Sequence, residues 1–97
     1  MAQFDVYRYG VGYVLDVQAD LMADLDNRVV IPLLPLDQAP RAANRLNPIF
    51  PIDDADHMLL TQYMAAISTS LLREKVCSLK SAHFVIKAAI DMIFDGV

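Results

Sequence analysis

Arg28-Val29-Val30-Ile31-Pro32-Leu33-Leu34 decides the fold class, because an unbroken β-branched and aliphatic run of this length reads as a buried strand. Pro32 has no backbone donor, so this strand must lie at an edge or bend at that residue, where a missing ladder bond costs little. Pro35 and Pro40 then end it. Upstream, Phe4-Asp5-Val6-Tyr7-Arg8-Tyr9 alternates and carries aromatic and β-branched residues. Gly10-Val11-Gly12 turns it into Tyr13-Val14-Leu15-Asp16-Val17, which gives an opening hairpin. Between hairpin and strand, Gln18 to Asn27 is acidic and reads as a loop or a short helical turn.

Downstream, Arg41 to Asn47 is a polar connection. Asn47-Pro48-Ile49-Phe50-Pro51-Ile52 and His57-Met58-Leu59-Leu60-Thr61-Gln62 follow as two more strands joined by an acidic turn. From Tyr63 to Lys80 the period is mixed. Met64-Ala65-Ala66-Ile67 and Leu71-Leu72 fit short helical pieces, with Ser68-Thr69-Ser70 as a break between them. Ser81 is placed to cap a final helix, His83 to Phe94, on which Ile86, Ile90 and Ile93 share a face flanked by Ala89 and Met92. Four or five strands followed by one helix predict a mainly-β fold, a small, strongly bent barrel with a packed helix, over one domain, residues 1–97. The helical apolar pattern runs on to Phe94-Asp95-Gly96-Val97. An apolar end of this kind predicts packing against the body, a second subunit or a target.

Composition narrows the function. A hydrophobic share of 56% is high for 97 residues, since a small body has little interior, and it points to oligomerisation. No run approaches the roughly 18 to 20 apolar residues of a membrane helix, because charges interrupt at Asp16, Asp20, Arg28, Arg73, Lys87 and Asp91. The opening Met1-Ala2-Gln3-Phe4-Asp5 lacks the layout of a secretory signal, so the chain reads as cytoplasmic. With 12 acids against 8 dispersed bases, the net charge of −4 argues against direct nucleic-acid binding and for a protein partner.

Cys77 stands alone, fits a reducing compartment and reads as a structural thiol. Asp53, Asp54, Asp56 and His57 lie close together but lack the glycine and distal glutamate of a calcium loop, so they read as a solvated turn. Gly10, Gly12 and Gly96 are the only glycines, and none belongs to a phosphate loop. No cofactor, metal site or catalytic set is expected. Pro32-Leu33-Leu34-Pro35 formally matches a PxxP ligand, yet it lacks flanking bases and reads as a bent strand.

Several pieces, taken in order, resemble the CcdB family of bacterial toxins. Gln3-Phe4-Asp5-Val6-Tyr7 is similar to the family's first strand, Asp16-Val17-Gln18-Ala19-Asp20 to its DVQSD segment, and Arg28-Val29-Val30-Ile31-Pro32-Leu33 to its R-x-VIPL strand. Leu46-Asn47-Pro48, Leu60-Thr61-Gln62-Tyr63-Met64-Ala65, Ala88-Ala89-Ile90-Asp91 and the terminal Phe94-Asp95-Gly96-Val97 also fall where the family has comparable segments. The resemblance implies an SH3-like barrel shared with MazF toxins, a homodimer and no active site. It further implies a toxin that binds the DNA gyrase A subunit and traps the covalent gyrase–DNA complex. A CcdA-like antitoxin would remove the toxin and, with it, repress their own operon, so that DNA is met only through that complex; plasmid maintenance is the family's setting. Gyrase contact carries over to Gly96 and Val97.

Two departures from the family stand out. The Gly10-Val11-Gly12 hairpin is shorter than the usual loop, and Asp95 replaces the tryptophan of the better-known Trp-Gly-Ile tail. The rival reading is a MazF-like endoribonuclease on the same barrel, with Arg8, Arg28, His57 and nearby aspartates as its acid, base and phosphate contacts. A non-toxic binding or adaptor module is the third.

Overall fold

The computed structural model describes residues 2–22 and 24–96. Its seven strands are β1 (Asp5–Tyr9), β2 (Gly12–Asp16), β3 (Asn27–Pro35), β4 (Ile49–Ile52), β5 (Ala55–Leu59), β6 (Ala65–Ser68) and β7 (Lys75–Ser78). They pair antiparallel in the order β4-β5-β3-β2-β1-β7, with β6 also on β3. One helix, α1 (His83–Asp95), follows the strands. The fold is mainly β, a curled antiparallel sheet with a C-terminal helix packed on it.

The long strand β3 organises this sheet. On one side it pairs with β2, from Tyr13↔Leu33 to Asp16↔Val30. On the other side it is shared: β6 takes Asn27 to Val30 and β5 takes Leu33 to Pro35. Pro32 sits at the handover. Its carbonyl accepts the Leu60 N–H at 2.9 Å, and N–H and C=O of one strand residue point the same way, so its missing donor faces the gap between β6 and β5. The strand therefore bends at Pro32 and is not an edge.

Side chains alternate across the sheet, and both faces are covered. Val6, Tyr13, Leu15, Ile31 and Leu33 face the main core with Phe50, Ile52, Leu59 and Ile86 of α1. Tyr7, Val14, Val30 and Leu72 pack on the opposite face beside Ile67. That is why β2 is buried from end to end. Asp16 and Arg28 follow the parity of Val14 and Val30, so they enter this second layer, where both are buried.

Both hairpins close through two residues. Gly10 has φ 59° between Tyr9 and Gly12, while Asp53 and Asp54 turn β4 into β5 with φ of 50° and 68°, a backbone that aspartate tolerates better than most residues. Gly12 has a separate reason. A Cβ there would fall onto the Leu33 carbonyl oxygen, so only glycine lets β3 approach.

Three sequence expectations need correction. Met64 to Leu72 is not helical: β6 and the 3-10 turn Thr69–Leu71 occupy it, then β7 follows, so the sheet has seven strands and not four or five. The break at Ser68-Thr69-Ser70 is real, with the Ser68 hydroxyl accepting the Ser70 N–H at 3.3 Å. Ser81 does not cap α1. It lies inside the 3-10 turn Lys80–Ala82, the N-cap is Ala82 with no side-chain bond, and the turn feeds directly into the helix. On α1 itself, Ile86 and Ala89 are buried and Ile90 half-buried, whereas Ile93 is exposed.

Candidate functional site

The C-terminal helix presents the predicted contact. Its inner face covers the core, so the apolar residues left over must point outward: Phe94 is 71% exposed, and Ile93, Asp95 and Gly96 are also exposed. Gly96 closes the helix in the left-handed region with φ 73° and ψ 12°, donating its N–H to the Met92 carbonyl at 3.1 Å. A Cβ on Gly96 would meet nothing within 4 Å, so its backbone is open to an approaching surface. Val97, the second predicted contact, lies outside the described residues. Beside this end, Met92 and Ile93 line a groove of about 360 Å³ with Ala43 and Leu46.

The residues considered for RNA cleavage divide. Arg8 reaches from β1 to Asp53 Oδ2 at 3.3 Å and to Glu74 Oε2 at 3.1 Å. Tyr13 donates its hydroxyl proton to the same Asp53 oxygen at 2.5 Å, a bond that raises the Tyr13 pKa, with burial adding to it. His57 lies beneath, buried, with its ring edge-on to Tyr13 at 4.9 Å and Nδ1 2.8 Å from the Ala55 carbonyl. The fold thus joins Arg8, Tyr13, Asp53 and His57 into one stack. Asp53 and Asp54 are exposed on the turn, as expected, whereas Asp56 is exposed within β5 and His57, read in sequence as part of the same solvated turn, is instead a buried strand residue.

Arg28 does not join that stack. Its guanidinium is buried, with Nη2 2.7 Å and Nε 2.9 Å from Asp16 Oδ2, and Nη2 also reaches the Gln18 carbonyl at 3.4 Å. Asp16 Oδ1 accepts the Gln18 N–H at 3.0 Å. Burial pushes the Asp16 carboxyl above its ordinary value, against the pull of Arg28 and the Gln18 amide. An arginine held in this way supports a sheet rather than meeting a phosphate.

Cys77 is half-buried on β7, and burial, then Asp53 and Asp5, raise its thiol pKa. That setting suits an unreactive thiol. Among the described residues, no group of three or more His, Cys, Asp or Glu side chains gathers around a metal-sized space. Among the described residues, no helix is long and apolar enough to cross a membrane.

Sequence reasoning missed two surfaces. Phe84 and Val85 stand exposed on α1, and Leu21, 94% exposed, stands with Met22 and Leu25 in the acidic loop after β2. A signal for the first is present: Phe84-Val85-Ile86 is a consecutive apolar run, and a helix can turn only part of it inward.

A solved structure described as an endoribonuclease from mycobacterial species superposes with a TM-score of 0.76, at 14% sequence identity, covering 95% of this chain and 88% of that one. At such identity the likeness is one of fold. The model of the CcdB family, described as CcdB protein, matches residues 3–96, which span the hairpin, the Pro32 bend and α1 as far as Gly96. The chain belongs to the CcdB family, which points to a toxin of a toxin–antitoxin module.

Proposed function

We propose that the protein is a non-enzymatic toxin that binds the DNA gyrase A subunit through the end of α1 and holds the covalent gyrase–DNA complex. The observation that carries this reading is the exposed apolar end of a helix whose other face is committed to the core: Ile93 and Phe94 point outward and Gly96 leaves its backbone open. Asp95 stands where the better-known tail of the family has a stacking tryptophan, so the contact is assigned to Gly96 and Val97 and not to the Asp95 carboxylate. The active form is a cytoplasmic homodimer. A CcdA-like antitoxin strips it from gyrase, and the complex of the two represses their operon, in keeping with the acidic balance of the toxin itself.

Burial of Arg28 and His57, together with the engagement of Arg8 by two carboxylates, supports binding over RNA cleavage. Expression of the full chain and of a form lacking residues 95–97 in a bacterium, with covalent gyrase–DNA complexes counted, tests the proposal. Trapping by the full chain and none by the shortened, folded form is the expected result. Equal trapping by both would remove the tail from the mechanism, and growth arrest without trapping but with cleaved RNA would replace gyrase as the target.

A further inference from the structure

The first half of α1 carries a second apolar surface, about two to three turns before Gly96 and so separate from the proposed gyrase contact. Phe84, 78% exposed, Val85 and Ala88 face Pro48 across a groove of about 260 Å³, with Arg45 at its rim. The groove is held open by rigid parts. Ile86 and Ala89 anchor the helix in the core, and the 3-10 turn Asn44–Leu46 on the other side is fixed by Asn47, whose Oδ1 accepts the Ala43 N–H at 3.0 Å and whose Nδ2 donates to the Leu59 carbonyl at 3.0 Å.

Charge around the groove runs opposite to that of the molecule. The net charge is −4, yet Arg8, Arg28 and Lys75 are spent on carboxylates elsewhere. Arg45 and Lys87 form no ion pair among the described residues, and both are exposed. Lys87 lies one turn beyond Phe84 on the same side of α1, and Asp91, one turn further, is the acid of this face. An apolar floor with a cation at its rim matches one chemistry: an apolar or aromatic side chain flanked by carboxylates.

We propose that this groove docks an acidic amphipathic segment of a protein partner, its apolar side chain between Phe84, Val85 and Pro48 and its carboxylates on Arg45 and Lys87. The site is independent of the tail and of gyrase. Apolar burial supplies the affinity, and the cations select against basic segments.

The test titrates the full, isotope-labelled chain with two synthetic amphipathic helical peptides that share Leu and Phe positions, one with Glu and one with Lys at the polar positions. Amide shifts report the site. The Glu peptide is expected to move the signals of residues 45–49 and 84–88, to bind about tenfold or more tighter than the Lys peptide, and to lose about tenfold with Arg45→Glu or Val85→Glu. Both substituted residues are exposed, and the same spectra report whether each variant folds. Equal binding of the two peptides, or no shift of these amides at millimolar peptide, overturns the proposal. So does sedimentation in which Val85→Glu or Arg45→Glu alone converts a dimer to monomer, because a second copy would then occupy the groove, through a segment such as Asp20, Leu21 and Leu25 that has the same chemistry.

Discussion

Arg28 and Asp16 form an ion pair that water does not reach, with Nη2 2.7 Å from Oδ2 and side chains 1% and 0% exposed. The pair ties β2 to β3 inside the layer of Tyr7, Val14 and Val30. Among the described residues, no protein group accepts from the buried Arg28 Nη1. Removing two charges from water costs several kcal/mol each, so such a pair contributes little net stability while making its two members depend on one another.

An asymmetry between the two partners follows from their chemistry. Asp16→Leu leaves a guanidinium that cannot lose its proton, and is expected to cost about 3 to 5 kcal/mol. Arg28→Met should cost less, because the remaining carboxyl, already pushed up by burial, can take up a proton. A raised folded-state pKa means that the folded chain binds the proton first. Stability from this group is then present below the unfolded value of about 3.8 and is lost as pH rises through the folded value. Acidification from about pH 7 towards the unfolded value, to about pH 4, should therefore stabilise Arg28→Met relative to the parent. The double variant should recover most of the loss. Urea unfolding of all four proteins at both pH values decides the matter, and equal single losses with no pH difference would contradict it.

Gly12 is the backbone contact between β2 and β3. A methyl group at this position meets the Leu33 carbonyl oxygen, part of a strand held on both sides, so neither partner can move aside cheaply. Gly12→Ala should destabilise the protein by about 1 to 3 kcal/mol, the range of overpacked cores. Gly10→Ala meets no atom and loses only its left-handed backbone freedom, roughly 1 kcal/mol. Thermal unfolding of the two variants should rank Gly12→Ala as the less stable.

At the tail, stability and binding should separate. Gly96→Ala adds strain at φ 73° but no clash, so the helix end loses about 1 kcal/mol while the core is untouched. Its effect on gyrase trapping should exceed its effect on unfolding. Asp95→Trp places an aromatic anchor on an exposed position and should raise gyrase affinity by about tenfold. A fall in affinity would instead mark Asp95 as an ion-pairing residue. Binding to the isolated gyrase A subunit, with thermal unfolding measured alongside, distinguishes these outcomes.

Much of this structure is legible in local chemistry. The Gly10 hairpin, the acidic Asp53-Asp54 turn, the alternation of β1 and the break at Ser68-Thr69-Ser70 each follow from what a few adjacent residues can do with their backbone. Pro32 shows where such reading stops. A missing donor requires a bend or an edge, and only the partners of β3 decide between them: with β6 on its first half and β5 on its second, it is a bend. The order of motifs from Gln3 to Gly96 carried the family, which the match over residues 3–96 bears out.

Tertiary structure decided the rest. Ala65-Ala66-Ile67-Ser68 has weak strand character of its own and becomes β6 because β3 offers it an unpaired edge. Arg28, offered in sequence as a phosphate contact of the rival reading, is buried because Asp16, the register partner of Val30, reaches it diagonally from β2. His57 and Arg8, distant from Tyr13 and Asp53 in the chain or across a turn, become one stack only when the hairpins close on each other. The sequence by itself determined the elements whose cause is local, the turns and the helix with its exposed glycine end. Which charges are buried and which apolar side chains remain outside was settled by the curled sheet, because burial depends on residues far apart in the chain competing for one small interior.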